Sequence, residues 1–556
     1  MKTRITNQNN VECRLIHSLE KILPLTEPVG EEKGGSVLKN QTYNFQVALR
    51  SFAPQGAGTV FVRVSGPLEK YITVRKEALA PATVIPHDAD DYYVTKDVTL
   101  IPDALLPCDK GLYVPHGQWR AVWISVQLDG TVGSGVYSTD IEVVGLDGTV
   151  HAKLTHMLEI IDAVAPKNDL KLTNWMHYDG ICRIHRVQPF TDAFYEVFKG
   201  YLQQYVSSGF NMLLTPLFTP PLDTDVGRER MTVQLVKVWK DENGYRFDFS
   251  ALESFITFVL ARGIEYIEFS HLFTQWGGKA CPKIIVEIDG KEEKCFGWDA
   301  PSDSEEYKRF LDAFLPQLMR VIDKLGIRER CYFHLTDEPN ATHEEYYAKC
   351  RALVKSHVGD IPVMDAIELY SYYEKGLVDL PVVFVKGYEE FAKRDTQNIF
   401  VYNCCYPAGE YYSNRFINMP SQRTRVLGFQ LYATGVKGYL HWGFNFYNSC
   451  RSRYAINPYA VTDAGGFPCG DPFIVYPDEE NGGAHGSVRL EAVKEGFQDY
   501  CALRLLETFV GRAEVCCLLS EWGLDGYAVY PRSAEKHVRF REKINALIKT
   551  YCENKE

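Results

Sequence analysis

Up to about residue 165, apolar side chains recur at every second position. The runs 43–49, 60–64, 120–128 and 137–144 all alternate in this way, as strands do when one face is buried and the other meets water. Gly66-Pro67, Asp129-Gly130 and Asp147-Gly148 punctuate them, and helical spacing is nearly absent. The pattern predicts an N-terminal β-sandwich over residues 1–165, with Ala165-Pro166-Lys167-Asn168 as the linker leading out of it.

Beyond residue 170 the spacing changes. Eight apolar strand candidates lie at 170–178, 212–218, 266–273, 331–335, 361–367, 382–385, 399–402 and 438–446. Amphipathic stretches with helical spacing separate most of them, at 194–207, 252–262, 305–325, 344–356 and 423–434. Eight such alternations predict a (β/α)8 TIM-type barrel over residues 166–512. An open doubly wound sheet is the runner-up, but no G-x-G-x-x-G follows the first strand. Residues 487–512 and 532–552 read as C-terminal helices, with 513–556 an extension packed on the barrel.

Composition narrows this frame. A chain of 556 residues exceeds one core, so it divides into two or three domains. A net charge of −12 argues against a nucleic-acid partner. No segment approaches the ~20 apolar residues that span a bilayer, so no membrane partner is expected. Residues 1–10 carry no apolar leader, and the expectation is a cytoplasmic protein with reduced thiols. The 15 cysteines include the pairs Cys404-Cys405 and Cys516-Cys517 but no C-x-x-C, which fits neither a disulfide framework nor a zinc site. Aromatic residues at 13% agree with a sugar-stacking cleft, although large cores absorb rings too. A homo-oligomer is left open.

The candidate chemistry sits where strands end. Thr336-Asp337-Glu338-Pro339 follows the fourth strand, and Pro339 stops that strand from continuing. In a barrel, chemistry gathers at the carboxyl ends of the strands, and paired carboxylates suit glycoside cleavage. The simpler reading is an acidic turn. The other strand ends supply His177, Tyr178 and Asp179; His271, then a long loop with Trp276 and Trp298; Asp365 and Glu368; Tyr402, Asn403 and Glu410; and His441, Trp442 and Asn445. This acidic, aromatic and amide-bearing set suits a neutral polyhydroxylated ligand, a glycan or glycoconjugate. Asp337 and Glu338 are the catalytic candidates. Tyr178, His271, Trp276, Asp365, Tyr402, Asn403, Trp442 and Asn445 are the substrate-binding candidates. Each has a plainer role: Trp442 as core, His271 and His441 as satisfied histidines, Glu368 and Glu410 as solvated charges. His334, Asp337 and Glu338 together suggest metal ligands, but strand alternation sends His334 away from Asp337, so no metal and no cofactor is expected. H-E-x-x-H, Walker A and G-x-S-x-G are absent. The loop 274–299 is long enough for a lid or a subunit contact.

Three stretches together resemble a known family: Asp337-Glu338-Pro339, the segment 435–442, and the run 487–500 with Arg489-Leu490-Glu491, Gly496 and Asp499-Tyr500. They are similar to glycoside hydrolase family 123 and the related group of domain of unknown function 4091. Residues 19–24 and 45–50 are similar to the sandwich domain that precedes the barrel there. The resemblance implies a retaining β-N-acetylgalactosaminidase that removes its sugar by substrate-assisted catalysis. Glu338 would be the general acid/base, and Asp337 would orient the substrate's 2-acetamido group. Two rivals stay open. One is a two-carboxylate retaining β-glycosidase with Glu338 as acid/base and Glu410 as nucleophile; the other is a non-catalytic glycan-binding protein on the same fold. Neighbours on a flat strand point to opposite faces, so Asp337 and Glu338 can serve one sugar only if the backbone twists between them.

Overall fold

A computed structural model of the chain describes residues 5–6, 11–394 and 398–554. The N-terminal stretch 1–10, apart from Ile5 and Thr6, lies outside the described residues. Two sheets open the fold. A six-stranded antiparallel sheet is ordered Ile5–Thr6, Val11–His17, Thr42–Ser51, Trp119–Gln127, Ile72–Ala82, Thr99–Pro107. A five-stranded sheet runs Gly35–Leu38, Val150–Ile161, Gly135–Gly145, Gly58–Ser65, Leu112–Val114, its first pair parallel. One apolar cluster draws on both, with Phe45, Val47 and Ile124 from the first and Val60, Ile141 and Leu158 from the second.

Eight parallel strands then form a nearly closed barrel. In chain order they are Lys171–Asn174, Met212–Thr215, Tyr266–Phe269, Cys331–Phe333, Met364–Ile367, Leu380–Phe384, Phe400–Tyr402 and Gly438–His441, called barrel strands 1 to 8 below. Strands 4 and 5 meet through one bridge, where Phe333 N donates to Pro362 O at 3.0 Å. Alternation sorts their side chains: Tyr266, Tyr332, Met364, Val382 and Phe400 fill the interior, while Ile267, Phe333, Ile367 and Val401 pack outward under the helices. Local signals set the helix ends. In Glu305–Leu325, for example, the Ser304 side chain accepts from Tyr307 N, and Gly326 closes the helix at φ 64°.

All eight strand positions coincide with apolar runs, and all but the sixth strand, Leu380–Phe384, are shorter than those runs. Residues 175–177 leave barrel strand 1 as irregular chain, and Tyr178 opens a helix, Tyr178–His185, that periodicity did not suggest. A further helix, Arg512–Trp522, lies between the two C-terminal helices that the spacing marks individually. The loop 274–299 is a hairpin, Ile284–Ile288 with Lys291–Phe296. It joins the hairpin Lys237–Asp241/Gly244–Asp248 in a four-stranded sheet beside the barrel mouth.

The helix Val488–Val510 fastens the N-terminal sheets to the barrel. Arg489 donates to both oxygens of Asp103 on the strand Thr99–Pro107, at 2.8–3.1 Å, and neither residue meets solvent. Glu491 accepts from Arg75, and Glu495 accepts from Asn44 and Arg425. Asp499 accepts from Arg425 and Arg541. Between these charges, Gly496 lets the helix touch Leu427–Thr434: a Cβ on Gly428 would meet Gly496 O at 1.7 Å. A buried ion without its partner is strongly destabilising. Asp103→Ala is therefore expected to lower the unfolding free energy by about 3–5 kcal/mol in denaturant titrations. Lys110→Ala, which removes an exposed ion pair with Glu480, leaves the midpoint unchanged.

Candidate active site

Barrel strand 4 delivers Asp337 and Glu338 into the mouth of the barrel, where each stays partly exposed. Glu338 has φ 45°, in the left-handed region. That twist breaks the strand alternation and re-aims Glu338 relative to Asp337, which a flat strand would not allow. The segment before the pair is firmly held. Asp365, the second residue of barrel strand 5 and fully buried, accepts from Leu335 N at 3.0 Å and from Thr336 N at 3.5 Å. Thr336 Oγ1 donates to Thr274 O at 2.6 Å, and Trp276 N donates to Asp337 O at 2.9 Å.

The two carboxyls have different neighbours. Tyr402, at the end of barrel strand 7, donates its hydroxyl to Glu338 Oε1 at 2.8 Å. Burial pushes the Glu338 carboxyl above the ordinary glutamate range, Tyr402 works against that shift, and Glu368 adds to it. Burial raises Asp337 further, and the adjacent Glu338 adds to the rise, while His334 opposes it. Two interacting acids titrate as a pair rather than singly.

Beneath them lies a charged layer within the barrel. His334 Nδ1 is 3.2 Å from Asp365 Oδ1, and its Nε2 is 3.5 Å from Glu268 Oε2. Alternation points His334 to the barrel interior, between Glu268 and Asp365. His271 stacks on His334 at 4.5 Å with planes 21° apart. One ligand atom each from His271, His334 and Asp365 fall within 4.8 Å of one another. Stacked rings direct their in-plane lone pairs side by side, and Asp365 already engages Nδ1 of His334, so these groups make a poor metal cage.

The ligand-facing candidates separate on inspection. Trp276 is 42% exposed, next to Asp337 through its backbone. Tyr402 touches Glu338. Trp442 is half-buried in the barrel interior, and its Nε1 donates to Asp471 at 3.0 Å. Four others turn inward and are corrected here. Tyr178 is buried among phenylalanines, with its hydroxyl on Leu214 O. Asn403 bonds Ser413 O and accepts from Tyr439. Asn445 pairs with both backbone groups of His177. Asp365 spends its oxygens on strand 4, Tyr347 and His334. Each was chosen for chemical type at a strand end; strands 1 and 8 stop before their apolar runs do, which leaves Tyr178 and Asn445 packed behind the mouth, while Asp365 lies within strand 5 and Asn403, just past strand 7, turns to Ser413 and Tyr439. His271 is buried below the carboxyls rather than beside them. Glu410 lies on the exposed rim, paired with Lys386.

Sequence reasoning passed over Glu268, Asp471 and Arg230. Glu268 follows Tyr266 at strand spacing, a signal available from alternation. Asp471 and Arg230 come from loops and carry no local signal. Arg230 is buried and binds Asp179, at the start of the first helix after barrel strand 1. A segment of the N-terminal region also reaches this rim: Asp90 accepts from Arg423 and from Tyr411 N, and Tyr93 donates to Ala408 O.

The profile of the glycoside hydrolase 123 catalytic domain matches residues 175–506, more than half of the chain. The chain belongs to glycoside hydrolase family 123. Among solved structures, this family 123 hydrolase is similar to a family 123 glycoside hydrolase from Clostridium perfringens. The two share 14% identity and a TM-score of 0.73, with 98% of each chain covered, and that structure is described in terms of glycolipid glycan hydrolysis. At this identity the likeness speaks for the fold. A β-glucuronidase from Parabacteroides merdae matches at 9% identity and TM-score 0.26, over 78% of this chain and 49% of its own. A family 5 mannosidase from Rhizomucor miehei matches at 11% and 0.33, over 65% and 97%. No curated protein matches the sequence.

A left-handed residue other than glycine costs roughly 1–2 kcal/mol relative to glycine. Glu338→Gly is accordingly expected to be more stable than Glu338→Ala by about that amount in denaturant titrations.

Proposed function

We propose that this family 123 glycoside hydrolase is a retaining exo-enzyme that removes β-linked N-acetylgalactosamine by substrate-assisted catalysis. The observation that carries the reading is the twisted Asp337-Glu338 pair, partly exposed at the barrel mouth, with Tyr402 donating to the Glu338 carboxyl. The Clostridium perfringens relative's glycolipid glycan hydrolysis supports a glycan on a conjugate as substrate. In the first half-reaction the carbonyl oxygen of the 2-acetamido group attacks C1. The bond from C1 to the leaving oxygen breaks, and Glu338 protonates that oxygen. The product is a cyclic oxazolinium, whose positive charge Asp337 offsets from the nitrogen side. Water then attacks C1 from the vacated face, Glu338 accepts its proton, and the acetamide reforms. An internal nucleophile supplies its own proximity, so no second protein carboxylate has to stand opposite. Trp276 offers an open ring face beside Asp337. Glu410, which a two-carboxylate mechanism would use, is solvated and neutralised by Lys386. Within the same reading the two N-terminal sheets form a sandwich over residues 1–165, the barrel spans 166–512, and 513–556 is an extension packed against it.

The reading is tested with aryl β-glycosides that differ only at C2 and C4. Turnover is expected for the 2-acetamido galactoside and inhibition by a thiazoline mimic of the oxazolinium; comparable turnover of a 2-hydroxy galactoside would sink the mechanism. Glu338→Gln should slow substrates with poor leaving groups by ~10²–10⁴-fold and activated aryl substrates far less, whereas Asp337→Asn should slow both. A binding protein would be indifferent to either change.

Tyr402→Phe provides a pH test. The Tyr402 hydroxyl stabilises the ionised form of Glu338, so its loss raises the Glu338 pKa. The acid must be protonated to act, and its deprotonation sets the alkaline limb of the kcat/KM profile. That limb is expected to move to higher pH; a limb that stays put or falls contradicts the assignment of Glu338.

A further inference from the structure

We propose that Tyr406 is the floor of an aglycone subsite: it stacks a neutral sugar of the leaving group, so that the enzyme selects glycosides whose cleaved residue is attached to a further sugar. This deepens the reading above and rests on Glu338 as the acid that protonates the leaving oxygen. Whatever leaves must lie beside Glu338, so the surface next to that carboxyl selects it. A file of three rings starts there. Tyr402 donates its hydroxyl to Glu338 Oε1 at 2.8 Å. Phe384 is the register partner of Tyr402 across barrel strands 6 and 7, so both side chains take the interior face, with ring centroids 5.4 Å apart. Tyr406 then stacks on Phe384 at 5.5 Å with planes 19° apart. Along this file the rings emerge from the protein: Tyr402 is buried, Phe384 half-buried and Tyr406 41% exposed. Phe384 covers one face of Tyr406, which leaves the opposite face open to a ligand. Each step in the file is comparable to one pyranose unit, so Tyr406 stands within reach of the first or second sugar beyond the scissile bond.

An exposed ring makes a platform only where it is held. Tyr406 O accepts from Cys404 N at 3.1 Å, and Asn414 Nδ2 donates to Cys404 O and Pro407 O. Further along the same rim, Tyr93 donates to Ala408 O and Asp90 accepts from Tyr411 N. Glu410 and Tyr411 are both left-handed, at φ 55° and 64°, a conformation that residues other than glycine keep only where their surroundings impose it. Glu410 thereby meets Lys386, whose Nζ also donates to the Tyr406 hydroxyl at 3.1 Å. Ring face, hydroxyl, ammonium and carboxylate stand together. A pyranose presents an apolar C–H face and an edge of hydroxyls. The ring buries the first, while the hydroxyls donate to Glu410 and accept from Lys386. Since the two charges offset one another, a neutral sugar fits better than an acidic one. A lipid chain would use the ring face and leave the polar edge unused. Trp276, also open, belongs to the Asp337 side of the mouth.

The test compares kcat/KM on methyl 2-acetamido-2-deoxy-β-galactoside with that on the same sugar linked β1→3 or β1→4 to lactose. The methyl group is too short to reach Tyr406, and every leaving group is an alcohol, so the comparison isolates contacts with the aglycone. The wild type is expected to prefer at least one of the two oligosaccharides. Tyr406→Ala should lose roughly 10-fold in kcat/KM on that oligosaccharide and nothing on the methyl glycoside. Tyr406→Trp, which restores a flat ring, should recover most of the loss. A wild type without preference for either oligosaccharide overturns the proposal. So does a Tyr406→Ala variant that keeps the wild-type preference, or one that loses equally on both kinds of substrate, as a merely structural role would have it. If that variant does not fold, Tyr406→Leu keeps bulk against Phe384 without a flat face and decides by the same comparison. The two levels separate cleanly. A wild type that cleaves none of the three substrates removes the proposed reaction and this inference together, whereas cleavage with an unchanged preference in Tyr406→Ala removes only the subsite.

Discussion

Arg489 and Asp103 face one another out of reach of water, and each tolerates that position only because the other is present. The same holds for Arg425 with Glu495 and Asp499, and for Arg541 with Asp499. Since these charges lie on different parts of the fold, satisfying them fixes how the parts meet. Asp103 belongs to the six-stranded sheet, Arg425 to the barrel wall, and Arg541 to the last helix, Ala534–Glu553. The helix Val488–Val510 touches all three, and the Gly428–Gly496 approach sets how closely it lies against the wall. Apolar packing alone would leave such an interface free to slide; opposed buried charges give it one register.

That register reaches the active site through the N-terminal region. Arg423 holds Asp90, and Asp90 and Tyr93 hold the rim that follows barrel strand 7, the strand that ends in Tyr402. On the other side, Asp365 ties the end of strand 4 to strand 5 at the seam where the barrel is least complete. The strained Glu338 is therefore placed by groups that do no chemistry themselves. A residue held in the left-handed region persists only where its surroundings leave it no better choice.

The barrel was legible because its signal is repetitive: eight apolar runs at regular spacing leave few other architectures, and each run coincides with a strand. Strand ends were less legible. Apolar residues continue past the last ladder bond, as at 175–178 and 442–446, because the chain stays buried after it stops pairing. Residues chosen by their place in those tails, such as Tyr178 and Asn445, consequently fell behind the mouth rather than in it. The run 487–500 shows another limit. Its family likeness is real, yet Arg489, Glu491, Gly496 and Asp499 serve the joint between sheets and barrel, which no local pattern reveals. Alternation reads correctly up to Leu335, and the left-handed turn at Glu338 carries no local sequence signal.

A barrel interior is ordinarily the driest and most apolar part of such a fold, and here Tyr332, Met364, Val382 and Phe400 keep it so. Setting Glu268 and His334 among them has no benefit for stability, since ionic groups there break even at best against well-packed apolar ones. Their position does have an electrostatic consequence. In that medium a charge acts on its neighbours with little screening, so the buried groups of this layer bear more strongly on the carboxyl pair than the same groups at the solvent rim could. Lys386 illustrates the contrast, because it meets Glu410 in water and leaves the Asp337-Glu338 pair untouched. Under the proposed reaction, Asp337 must respond to a charge that appears only as the oxazolinium forms. Fixed, desolvated groups beneath it are oriented before the substrate arrives, without waiting for solvent to reorganise.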